Sequence, residues 1–346
     1  MRIGVDVMGG DNAPHEILKG AIDAVEELNG DGDVIVLAGD RAAIEESLAE
    51  RGADSSRFEI LECGEPIMMD ESPVEAVRGK PDSSVVKLSQ LASPKASAEE
   101  RLDAWISAGN TGACVTAAQM YMRRLRNVIR PGVAVTVPTF SGPVILIDVG
   151  ANIEPKPPHL AQYGVMGSIY GSRLLGMDKP RVGLMNVGGE EAKGTAGLKQ
   201  AREMLVNTPD INFVGYVEGR GVFDGEADVV ITDGIVGNVM IKLAEGLSAG
   251  IFKAIAGEVF ETDPELAMRF EPVVKSLYAK YDYHEYGGAP LLGVNGVCMI
   301  SHGSSIARTI TNAIKRSCLF VKSGVNEAIA EALANSSDEL AKEANA

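Results

Sequence analysis

The sequence predicts an α/β fold on a largely parallel sheet, and three observations predict it. Seven runs read as strands that end in glycine turns: RIGVDVMGG (2–10), DVIVLAG (33–39), DAWISAG (103–109), GPVILIDVGAN (142–152), RVGLMNVGG (181–189), INFVGYVEG (211–219) and ADVVITDG (227–234). Most are followed by ten or more residues with helical spacing, the alternation of parallel strands with crossover helices. The 346 residues include 39 glycines and one tryptophan, which suits many short elements joined by tight turns. In such sheets ligands sit beyond the carboxyl ends of the strands, so the glycine turns are expected to face one another across a cleft.

Composition narrows the function. A hydrophobic share of 45% with 23% charged residues is that of a soluble globular chain. A net charge of −16 leaves no basic field to displace phosphate counterions, which excludes general nucleic-acid binding. Cys63, Cys114, Cys298 and Cys318 are scattered singly without a CxxC pair, as in a reducing compartment. The start, MRIGVDVMGG, lacks the apolar run and cleavage site of a signal peptide. The most apolar region, 131–153, is broken by Pro138, Gly142 and Pro143 and carries Asp148, so it reads as two buried strands and not a membrane span. A cytoplasmic location follows. Residues 1–330 are expected to form a single α/β unit, two lobes around a cleft, and 331–346 a polar tail.

Taken in chain order, the turns carry the chemistry. DVMGGDNAP (6–14) brings Asp6 and Asp11, and DVGAN (148–152) brings Asp148 and Asn152. Paired carboxylates bind metals, but no ligand pattern here is diagnostic, and no turn is GxGxxG; neither metal nor cofactor is expected. SQLASPKASAEER (89–101) reads as a surface excursion. In ISAGNTGA (106–113), Gly109, Asn110 and Thr111 sit where backbone N–H groups at a helix start attract anions, although capping alone also explains Asn and Thr there. Cys114 lies behind that first turn, where a thiol can be activated; as a residue type it is more often inert. YMRRLRNVIRPG (121–132) places Arg123, Arg124, Arg126 and Arg130 within eight residues. They serve either as a local basic patch that steers an acidic partner or as a solvated helix face with ion pairs.

NVGGEEAKGTAGLKQA (186–201) looks like a phosphate loop, yet Lys193 precedes Gly194 where a P-loop needs Gly-Lys-Ser/Thr. After Gly189, Lys193 acts as a point charge able to swing across a site. VITDGIVGNVMIK (230–242) ends a strand at Asp233 and puts Asn238 and Lys242 four apart on one helix face, an amide donor and an ammonium for an oxyanion. Residues 239–260 continue as an apolar helix with Ile251, Phe252, Ile255, Val259 and Phe260 on one side: core, dimer interface, or a helix that rests on a membrane. GGAPLLGVNGVCMISHGSS (287–305) sets Ser301 and His302 at a strand end where a helix should begin.

Together RIGVDVMGGDNAP, SAGNTGA, DVGAN, NVGGEEAKGT, GYVEG, DVVITDGIVGNVMIK and GGAPLLGVNGVCMISHGSS resemble the PlsX-type phosphate acyltransferases of bacterial phospholipid synthesis, in order from residue 2 to about residue 320. The resemblance implies a phosphotransacetylase / isocitrate dehydrogenase-like fold. It implies conversion of long-chain acyl-acyl carrier protein and inorganic phosphate to acyl phosphate, which a membrane-bound glycerol-3-phosphate acyltransferase consumes. It also implies a homodimer and a peripheral, reversible contact with the inner face of the membrane. TDGIVGN looks like the phosphotransacetylase turn Pro-Asp-Leu-Asn-x-Gly-Asn, and ISHGSS like their Leu-Ser-Arg-Gly, with His302 where they carry arginine. A fixed cation thereby becomes a group that exchanges protons near neutral pH.

Phosphate is already an anionic nucleophile, so the task is to hold it against the thioester and stabilise the tetrahedral oxyanion. Lys193, Asn110, Thr111 and Asn238 are expected to bind phosphate or the oxyanion, with Gly109, Gly189, Asn152 and Lys242 beside them. His302 and Ser301 would handle the departing thiol or orient phosphate, and Asp233 would orient a partner or hold a proton. One positioned donor is worth ~3 kcal/mol, so alanine at Lys193 or His302 should cost ~100-fold in turnover. The four arginines would dock the acidic carrier, and charge reversal at Arg123 and Arg124 should raise its KM in a salt-dependent way. Two other functional classes fit the sequence less well. A dehydrogenase needs a nucleotide fingerprint, and none is present. A non-catalytic membrane scaffold leaves His302, Lys193 and the glycine turns unexplained.

Overall fold

A computed structural model describes residues 1–28, 32–262, 264–280 and 283–344. The strands are β1 (Arg2–Asp6), β2 (Val34–Gly39), β3 (Phe58–Glu62), β4 (Ala104–Ser107), β5 (Gly132–Thr139), β6 (Gly142–Ile147), β7 (Arg181–Met185), β8 (Asn212–Val217), β9 (Val229–Ile231), β10 (Ala289–Leu292) and β11 (Val297–Ile300). The helices are α1 (His15–Glu27), α2 (Arg41–Glu50), α3 (Pro73–Gly79), α4 (Ser84–Leu91), α5 (Thr111–Ala117), α6 (Pro157–Leu175), α7 (Ala196–Val206), α8 (Gly219–Asp224), α9 (Gly234–Thr262), α10 (Pro264–Lys280), α11 (Ala307–Ser323) and α12 (Val325–Ala344).

The strands form one sheet in the order β3-β2-β1-β4-β11-β10-β5-β6-β9-β7-β8. Its two flanks, β3 to β11 and β6 to β8, are each parallel, and both are core-covered on two faces by helices. Between them β11/β10, β10/β5 and β5/β6 are antiparallel. Three reversals in succession mean that the two parallel flanks run in opposite directions. The glycine turns gather as two groups, and both reach one cavity: Thr111, Ser301 and His302 come from the turns of one flank, Val149, Asn238 and Lys242 from those of the other, while the β7 turn stays outside it. Gly9 packs on Gly109, and Gly10 on the Gly303 carbonyl. Gly234 packs separately on Asn152 and Gly150.

All seven expected strands are present, and the apolar region 131–153 holds β5 and β6. FEILE (β3) and APLL (β10) gave no sequence signal, being short and interrupted by charge or proline. The excursion at 89–101 is surface only in its later part: Ser89 to Leu91 close α4, and Ser89, Ala92 and Ser93 are buried. The expected polar tail is helical through Ala344, because Val325, Ile329 and Leu333 pack into the core and carry the helix outward; residues 345–346 lie outside the described residues.

One helix departs from the pattern of covered faces. In α9, 29 residues long, only Gly234 and Gly237 are buried. An added Cβ at either would strike the Asn152 or Asp148 carbonyl, so these glycines let the helix start hard against the DVGAN turn. Beyond them α9 stands off the sheet and packs along α10. Val239, Leu243, Leu247, Ile251 and Ile255, spaced by four, form an exposed apolar stripe. Among the described residues α9 is the one helix long and apolar enough to cross a membrane, by length and composition alone.

Candidate active site

The gap under α9 is a cavity of about 300 Å³, the size of a small-ligand site. Three elements wall it. β5 supplies Val133, Val135, Val137 and Thr139; α9 supplies Asn238, Ile241, Lys242, Glu245, Ser248, Ala249 and Phe252; and the β11 end supplies Ile300, Ser301 and His302. Thr111 at the start of α5 also reaches it.

The SHGSS turn is held from outside by DVMGGDNAP. Asp11 N–H donates to the Gly303 carbonyl at 2.7 Å, and the Asn12 amide donates to the Ser304 and Ser305 carbonyls at 3.2 and 3.1 Å. Within the turn, Ser304 N–H donates to His302 Nδ1 at 3.2 Å. That bond assigns the neutral ring's proton to Nε2. Ser301 N–H donates to the Ser107 carbonyl at 2.8 Å, which pins the backbone to β4. The Ser301 hydroxyl, though, is buried without a hydrogen-bond partner. Thr136 Oγ1, on the same cavity wall, is likewise buried and unpartnered, and a ligand or a water completes such hydroxyls.

Opposite stands a residue that the sequence reading missed. Burial raises the Glu245 carboxyl above its ordinary range, and the nearby charges of His302 and Lys242 partly offset this. Asn238, Lys242 and Glu245 are spaced i, i+4, i+7, one face of a helix, so the signal was in the sequence.

The expected site residues divide sharply. Ser301, His302, Asn238, Lys242 and Thr111 line one cavity. The Asn238 amide also donates to the Val149 carbonyl at 3.3 Å, which fixes its position. Asn110 caps α5, accepting from Ala113 N–H at 3.0 Å, and its amide donates to the Met68, Met69 and Glu71 carbonyls. Gly109 N–H donates to Ser107 Oγ. Asn152 donates to the Pro131 carbonyl and Tyr163 hydroxyl. Asp233 caps α9, accepting from Ile235 and Val236 N–H at 2.9 Å. Lys193 pairs with Glu190 at 2.7 Å over Gly188; neither it nor Gly189 lines the cavity.

Asp6 and Asp148 are structural hydrogen-bond acceptors. Asp6, its carboxyl raised by burial, accepts from the Ser84 and Ser107 hydroxyls at 2.6 Å. Asp148, raised likewise, accepts from the N–H groups of Val133, Gly150, Ala151 and Asn152. No cluster of metal-ligating side chains occurs among the described residues. Cys114 is buried and its thiol pushed up to about 12, which removes it as a nucleophile near neutral pH.

Arg123, Arg124, Arg126 and Arg130 are exposed on a loop, not on the helix face considered above. Arg123 breaks the preceding turn with a φ of 69°. Lys156 joins them: burial first, then Arg130, Lys156 and Arg124, brings His159 down to about 4.

The family model described as fatty acid synthesis protein matches residues 1–328. A phosphate acyltransferase of Desulfitobacterium hafniense is 44% identical over 336 residues, covering 96% of this chain and 98% of its own. One from Bacillus licheniformis is 42% identical over 343 residues, covering 98% of this chain and 100% of its own. A solved phosphotransacetylase of Streptococcus pyogenes has a similar fold, with a TM-score of 0.61 at 16% identity over 93% of this chain and 94% of its own.

Proposed function

This chain belongs to the family of fatty acid synthesis proteins, and from that premise we propose that it is a phosphate acyltransferase. It moves a long-chain acyl group from acyl-acyl carrier protein to inorganic phosphate, and the acyl phosphate serves phospholipid synthesis. The observation that carries the site is the buried, unpartnered Ser301 hydroxyl beside His302, facing Lys242 and Glu245 across one cavity.

A phosphate oxygen attacks the thioester carbon, and the carbonyl oxygen becomes an oxyanion. The C–S bond then breaks. Hydrogen phosphate loses one proton overall and the departing thiol gains one, so the reaction balances without a covalent enzyme intermediate. Lys242 and Asn238 suit phosphate, one as a charge and one as an amide donor. The Ser301 hydroxyl suits the oxyanion, since a preorganised donor there is worth ~3 kcal/mol. His302, with its proton on Nε2, suits a hydrogen bond to the departing sulfur, which takes up the proton that phosphate loses.

The exposed loop with Arg123, Arg124, Arg126 and Arg130, joined by Lys156, is the docking surface for the acidic carrier. The apolar stripe on α9 suits a second copy of the chain and reversible contact with the inner face of the membrane, where the membrane-bound glycerol-3-phosphate acyltransferase takes the product. The deciding experiment incubates palmitoyl-acyl carrier protein with and without inorganic phosphate and scores acyl phosphate. Phosphate-dependent product is expected. Thioester loss that ignores phosphate, with both the cognate carrier and acyl-CoA, overturns the reading.

A further inference from the structure

We propose that the apolar arm of the cavity, between the β5–β6 hairpin and α9, is the acyl-chain subsite, and that it grips the chain without measuring its end. This rests on the reaction proposed above. Val135 and Val137 turn half-buried faces toward α9, whereas Ala134 and Thr136, which alternate with them, are buried. An apolar strand face and an apolar helix face thus confront each other with a gap where a core layer would normally lie. On α9 the charged residues that line the cavity stop at Glu245; Ser248, Ala249 and Phe252 follow.

The two walls give the arm a length. From Glu245 to Phe252 a helix advances about 10 Å, and from Val135 to Phe140 a strand advances about 17 Å. An extended alkyl chain advances about 1.3 Å per carbon, so the arm holds roughly 8 to 13 carbons. Its far end is open: Phe140, at the hairpin tip, is 80% exposed. A long chain therefore fills the arm and passes out. A closed pocket selects one length, whereas this arm rewards each added carbon until it is full.

Ala249→Phe and Val137→Trp block the arm from opposite walls, and Val206→Phe, at the exposed end of α7 away from both the cavity and the α9 stripe, adds bulk as a control. Two readouts separate the subsite from the reaction: kcat/KM for acyl carriers from four to eighteen carbons, and cis-parinaric acid fluorescence, which needs no turnover. Wild-type kcat/KM should climb by up to ~4-fold per carbon and level off at roughly 8 to 13 carbons. Each blocking variant should lose about 30-fold on the sixteen-carbon substrate, less than about 3-fold on the four-carbon one, and about 10-fold in parinarate affinity. Val206→Phe should change neither readout. Equal losses on short and long chains, unchanged parinarate binding in both blocking variants, or a sharp optimum at one length overturns the proposal. Should wild type make no acyl phosphate, the reaction falls, and parinarate binding in the blocking variants alone decides the subsite.

Discussion

Two asparagines at the starts of two helices look alike in the sequence and do different work in the structure. Asn110 follows β4 and Asn238 follows β9, each just past a glycine turn. Both ends of the Asn110 side chain are engaged by backbone: its oxygen accepts from one N–H, and its amide is shared among three carbonyls. Asn238 lies a turn inside α9, where Asp233 has already capped the helix, and so it lines the cavity. A polar side chain is available to a ligand only where another group has satisfied the backbone.

The contrast is tested most strongly at the cavity wall. Ser301→Ala and His302→Ala should each lower kcat by ~100-fold, with unfolding curves close to wild type. A loss of stability instead, with normal turnover per folded molecule, would move these residues to the structural side. Next come the asparagines themselves. Asn238→Ala should cost about tenfold in kcat/KM for phosphate. Asn110→Ala should cost about 2 kcal/mol in urea unfolding and leave kcat within about 3-fold. The opposite pairing of effects breaks the comparison. Lys193→Ala should change kcat/KM by less than about 3-fold, since Lys193 lies on Glu190 and away from the cavity. A ~100-fold loss would bring the β7 turn into the reaction.

The smallest effect is set by pH. His159 is brought from 6.5 to about 4, so the folded protein disfavours its cation. Above 6.5 the ring is neutral in both states and contributes no pH dependence. Between 6.5 and about 4 the unfolded chain takes up a proton that the folded one refuses, so stability falls as pH falls. His159→Gln should flatten that part of a melting-temperature profile; an unchanged slope would assign it to other groups.

The strands were legible because each joins an apolar run to a glycine turn, and the family motifs lie on those turns. Their grouping was not legible. Local spacing cannot show that β10, β5 and β6 reverse direction three times between the parallel flanks, for β10 is only the four residues APLL. Ser301, His302, Asn238 and Lys242 were found by residue type at strand ends. Glu245 was missed because a glutamate inside a helix ordinarily faces water, and only the stand-off of α9 places it over His302. Lys193 drew attention as a lysine among glycines, but a glutamate three residues before it was in the same stretch.

That stand-off also governs where the molecule opens. Amide exchange proceeds through local unfolding, and its free energy follows the buried contacts that an opening must break. The flank strands lie between two layers of core, whereas α9 beyond Gly237 has little to break. Its amides should exchange with deuterium long before those of β1 or β4, and an occupant of the cavity should slow them first. The helix that frames the site is thus also its reporter, its protection rising with whatever the protein holds.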